Sequence, residues 1–194
     1  MSGIPFSLLI YSAFTINLAL QCALGISGIV ESKAPFYLSS LVKLCLIFLT
    51  VILLWVLFST LFSSLFPGLL LYILLFPVSA ILYDGFEYLV FRYIFNKDAK
   101  NESIIKFPGG ITAVSAFVCI NVAANILETV LLSFGFVFGV FLINLIIREI
   151  RKRAALEAVP AFMQGKPLVL ITMGILSMVF STASILLFRM INAG

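Results

Sequence analysis

The chain contains no histidine at all. That removes the commonest general base and the commonest metal ligand, so conventional hydrolase chemistry and haem held by His are not expected. Charge is scarce too: only 10% of the 194 residues are Asp, Glu, Lys or Arg, against 63% hydrophobic residues. Such a composition cannot supply the polar surface of a soluble domain. There are three cysteines, Cys22, Cys45 and Cys119, all in apolar segments and without CxxC spacing. They read as small buried hydrophobes, Cys45 above all.

What is abundant is long apolar sequence. Several runs exceed the roughly 20 residues that cross a bilayer, and six spans are predicted: 6–30, 37–66, 69–95, 110–127, 130–147 and 168–187. No basic region precedes the first run, so it is expected to persist as a helix rather than be cleaved. Gly25 and Gly28 interrupt that span, Pro77 lies inside the third, and Glu128 marks the short connection between the fourth and fifth. The chain reads as a single membrane domain over 1–194. A first three-helix repeat (1–95) is joined through a polar loop (96–109) to a second (110–194).

Basic residues are placed asymmetrically. Lys33 follows span one; Arg92, Lys97, Lys100 and Lys106 follow span three; Arg148, Arg151, Lys152, Arg153 and Lys166 follow span five. By the positive-inside rule, the odd-numbered loops face the cytoplasm and both termini face outward. Spread over loops, the net charge of +4 is no nucleic-acid footprint, and the lipid bilayer is the expected surrounding.

The halves echo each other: Ile16-Asn17-Leu18-Ala19 in span one matches Ile120-Asn121-Val122-Ala123 in span four. Each motif opens a group of three spans, so the halves are predicted to be inverted repeats with broken first and fourth helices. Amides in hydrocarbon must find hydrogen bonds. Asn17 and Asn121 therefore either join spans one and four or flank a buried cofactor or ion. Gly25, Gly28, Gly109, Gly110, Gly135 and Gly139 are expected to let helices approach closely. Asp84 and Glu87, three apart on one helical face with Arg92 beyond, read as an interfacial charge cluster in preference to a proton or sodium site, and Lys43 is expected to snorkel to the same interface.

The stretch 150–180, IRKRAALEAVPAFMQGKPLVLITMGILSMVF, resembles the C-terminal region of the integral-membrane subunits of Rnf and Nqr complexes, most nearly the RnfA/NqrE type. The resemblance implies a subunit of an ion-coupled electron-transfer complex in a bacterial or archaeal plasma membrane. Its partners would be a homologous six-helix subunit of opposite topology and the other subunits of the complex. It also implies a [2Fe–2S] cluster shared by that pair, with one cysteine ligand in an L-G-[IL]-C segment of span one and another in an N-C-A segment of span four. Here those segments read Leu24-Gly25-Ile26-Ser27 and Asn121-Val122-Ala123. Asn17, Gly25, Ser27, Asn121 and Val122 thus surround the family's cluster site, but both sulfur ligands are replaced. Serine is a poor stand-in for thiolate, and valine cannot ligate.

Cys22 and Cys119 do not repair the loss. They lie five and three residues before the ligand positions, roughly 7.5 and 4.5 Å along their helix axes. In antiparallel helices those offsets add to about 12 Å, too far for one iron. The expectation is therefore a scaffold or ion-path subunit with no cofactor of its own, a cluster or flavin being left to the assembled complex. The rival expectation is a small inverted-repeat secondary transporter or channel-like protein.

Overall fold

The computed structural model describes residues 4–17, 20, 38–62, 68–90, 92–93, 108–156, 160 and 165–193. Among them there is no strand. Six helices follow one another: α1 (Ile4–Ile10), α2 (Leu38–Leu57), α3 (Gly68–Val90), α4 (Pro108–Val122), α5 (Ile126–Leu156) and α6 (Lys166–Ala193). Wider π-helical turns extend α1 over Tyr11–Thr15 and α2 over Phe58–Phe62. Four helices, α2, α3, α5 and α6, are long and apolar enough to cross a membrane, as in an integral membrane protein. α4 is apolar but shorter.

α2 and α5 form the centre, with 44% of each apolar window buried, whereas α3 and α6 bury 17% and 22% and so lie on the flanks. Ile47, Val51 and Leu54 of α2 meet Leu132, Phe136 and Ile143 of α5 in one core. The flanking helices turn large apolar side chains outward, among them Ile73 and Ile81 on α3 and Ile175 and Met178 on α6. A water-facing surface would not carry so much apolar area, whereas lipid solvates it freely. Hydroxyls inside the bundle are satisfied locally: Thr50 Oγ1 donates to the Leu46 and Ile47 carbonyls, and Ser115 Oγ to those of Ile111 and Thr112. No apolar solvent could otherwise partner them.

Side-chain contacts fix the helix directions. Lys43 near the start of α2 meets Glu87 near the end of α3, so these two run antiparallel. Tyr72 near the start of α3 meets Asn121 near the end of α4, again antiparallel. α1 runs parallel to α5, because Ser12 lies at Gly135 and Asn17 at Gly139. α5 turns back from α4 after three residues, Ala123–Asn125, so α1 and α4 point in opposite directions. The packing partners follow the same exchange of halves: α1 packs on α5 as α4 packs on α2, α3 on α4 as α6 on the π-turn of α1, and α2 on α3 as α5 on α6.

Three expectations need correction here. The turn between α4 and α5 lies before Glu128, which sits instead in the first turn of α5. Asn125 caps that helix: its carbonyl accepts the Thr129 N–H at 3.1 Å, and Glu128 reaches back to the Ala124 N–H at 2.8 Å. Asn125 thus stands at the N-cap position, and the Glu128 carboxylate in the first turn satisfies a donor just ahead of the helix and complements its dipole. The fourth helix is also unbroken from Pro108 to Val122. Finally, Cys45 is exposed on α2, while Cys119 is buried.

Candidate functional site

α1 ends within the bundle. After its π-turn, Ile16 leaves helical geometry (φ −103°, ψ 57°), its N–H still bonded to the Tyr11 carbonyl at 2.9 Å. Asn17 is buried and lies just beyond. Its Nδ2 donates to the Ala13 carbonyl at 3.0 Å, supplying a donor where the helix stops. The helix end can lie this close to its neighbour because α5 offers bare backbone. A Cβ at Gly139 would sit 2.8 Å from the Ala13 carbonyl oxygen and 2.9 Å from Asn17 Nδ2, and one at Gly135 would sit 2.9 Å from the Leu9 carbonyl oxygen and against Ser12 Oγ. Gly135 and Gly139 therefore form the small-xxx-small face on which α1 lies, as their packing role required.

Asn121 occupies the corresponding place at the end of α4. Its Nδ2 donates to the Phe117 carbonyl at 2.7 Å, four residues back as at Asn17. Its Oδ1 accepts the Tyr72 hydroxyl at 2.8 Å, and Tyr72 also sits edge-on to Phe117, centroids 5.1 Å apart. Asn121 thus ties α4 to α3, not to span one. Tyr72→Phe is expected to cost about 1 kcal/mol in the unfolding free energy of detergent-solubilised protein; an unchanged value would remove the tie from the account of stability.

Of the five residues singled out in the sequence, the three that are described, Asn17, Asn121 and Val122, do not assemble into a donor set. Asn17 lies against α5, Asn121 is engaged by α3, and Val122 is 42% exposed with no donor atom. Gly25 and Ser27, like Cys22, lie outside the described residues. Among the described residues no group of three His, Cys, Asp or Glu side chains could hold a metal ion. An iron–sulfur cluster does not fit what stands at Asn121 and Val122: both amide ends are already bonded, and no thiolate is there.

A different site was only half legible. Lys43 does not snorkel: it is 3% exposed, enclosed between α2 and α3, and its Nζ lies 2.5 Å from Glu87 Oε1. Asp84, read with Glu87 as one face, is exposed instead. One turn before Glu87, Tyr83 is wholly buried, and its hydroxyl lies in the field of the Glu87 carboxylate without a well-aligned hydrogen bond. Toward the chain's next segment Arg92 stacks over Tyr88 and donates to its hydroxyl. The sequence signal was the lone Lys43 in an otherwise apolar run. Its partner could be found only once α2 and α3 were known to be antiparallel neighbours.

Together these features define, among the described residues, an all-helical protein with four helices long and apolar enough to cross a membrane and a charged pair enclosed between two of them. Neither protein-family models nor curated proteins give a match to the chain.

Proposed function

We propose that the chain is a membrane subunit of an Rnf/Nqr-like ion-coupled electron-transfer complex, serving as a scaffold or ion-path subunit without cluster ligands of its own. The observation that carries the reading is the exchange of halves. α1 and α4 point in opposite directions, each ends on an asparagine bonded four residues back, and the packing partners of one half repeat in the other. That pattern is what two inverted three-helix repeats produce, and it agrees with the C-terminal resemblance. In this reading all six helices serve as spans and both termini face outward. The end carrying Lys43, Glu87, Arg92 and the basic end of α5 faces the cytoplasm of a bacterial or archaeal cell. A homologous six-helix subunit of opposite topology pairs with it.

The test is gentle solubilisation and purification through this chain, with iron analysis and EPR of what comes along. Partner subunits should co-purify, and no [2Fe–2S] signal should depend on this chain. A [2Fe–2S] signal lost in Cys22→Ala or Cys119→Ala would overturn the ligand-free reading. A second reading, a small inverted-repeat secondary transporter, is favoured by the enclosed Lys43–Glu87 pair, since ionisable groups between membrane helices commonly mark transport routes. Isolation of the chain alone, colourless and as a monomer or homo-oligomer, would select it.

A further inference from the structure

We propose that Glu87 and Tyr83 form a monovalent-cation site whose resident occupant is the Lys43 ammonium, so that cation binding expels a proton from Lys43. The inference deepens the ion-path part of the function above and rests on it, but needs none of the partner subunits.

A buried ion pair is weak as a source of stability, because apolar residues of the same volume do as well or better. The cost of enclosing Lys43 and Glu87 therefore calls for another use. The pair has the makings of a cation site. Glu87 supplies carboxylate oxygens and, with its side chain 16% exposed, a way in from outside the bundle. Tyr83 supplies a second hard oxygen, fully buried in the field of the Glu87 carboxylate and without a well-aligned hydrogen bond. The Lys43 nitrogen already fills the cation's place beside Glu87.

Charge balance dictates the stoichiometry. As it stands the pair is neutral. A cation entering while Lys43 stayed protonated would leave an uncompensated positive charge in a low-dielectric site. Neutrality is kept when the cation takes the Glu87 carboxylate and the Tyr83 oxygen while the ammonium gives up one proton to water, leaving a neutral amine. One cation enters, one proton leaves, and no electron moves. The other titratable groups on the elements packed here are Cys45 on α2, Tyr72, the exposed Asp84 and Tyr88 on α3, Cys119 on α4, and on α5 Glu128 in the first turn with Arg148, Glu149, Arg151, Lys152 and Arg153 toward the far end.

The full chain in detergent, weakly buffered with a pH-indicator dye, is challenged with sodium, potassium or choline chloride. About one proton per chain should be released by sodium or potassium and none by choline. Apparent cation affinity should tighten about tenfold per pH unit while Lys43 remains protonated in the cation-free form. Tyr83→Phe should weaken affinity without changing the stoichiometry. The charge-balanced double variant Lys43→Met with Glu87→Gln, which leaves no unpaired charge between α2 and α3, should release none. No release beyond that of choline, or release unchanged in the double variant, overturns the proposal. Co-purification of partner subunits is scored separately, so a failed exchange with partners present leaves the subunit reading standing.

Discussion

Glu87→Ala with Lys43 left in place is expected to cost about 3–5 kcal/mol of stability. Lys43 would be left at 3% exposure with its carboxylate partner gone, and holding the charge unpaired or giving up the proton both cost free energy. The loss comes less from a missing attraction than from an amino group without a counter-charge away from water. For that reason the double variant Lys43→Met with Glu87→Gln should recover most of it. In a Cys22→Ala background the buried Cys119 gives a direct readout, because a thiol-reactive dye reaches it only on unfolding, while the exposed Cys45 sets the starting signal. Lowered dye-reported midpoints should follow for the single variant and near-wild-type ones for the pair. Equal losses in both would show that volume, rather than unpaired charge, governs this site.

Gly139→Leu is expected to be comparably severe, and Gly139→Ala to cost about 1–3 kcal/mol. Even one methyl group would lie 2.8 Å from the Ala13 carbonyl oxygen, which cannot move without shifting the end of α1. A leucine forces α1 off α5 and takes Asn17 with it. Glycines with open space provide the control: nothing lies within 4 Å of a Cβ at Gly85 or Gly174. Alanine there should be neutral or slightly stabilising, through helix propensity alone. The same dye assay reads all four variants, and a Gly139→Ala midpoint no lower than that of Gly174→Ala would refute the close packing of α1 on α5.

Much of this architecture was legible because apolar length and charge placement are one-dimensional signals. Six helices stand in the predicted order, and the glycines at 135 and 139 serve the close approach predicted for them. The errors arose where the deciding interaction is local and polar, or distant in sequence. The start of α5 is set by Asn125 and Glu128, a four-residue cap hidden within an apolar stretch whose hydropathy barely changes. Lys43 was assigned to the interface because long basic side chains generally escape burial; its partner lies 44 positions away on a neighbouring helix. At the expected cluster site the sequence reads Ser27 and Val122 where the resemblance implies cysteine. It could not show that Asn121 is committed to Tyr72.

The turn that carries α4 into α5 is three residues long, and three residues reach at most roughly 10 Å. Neither helix can therefore enter a bilayer far ahead of the other. In the six-span reading proposed above, the joined pair waits until both helices are made and then goes in together as a hairpin. Its tip has no slack for an inserted tag or a protease site, so the biogenesis of the second half is governed by a single concerted insertion step.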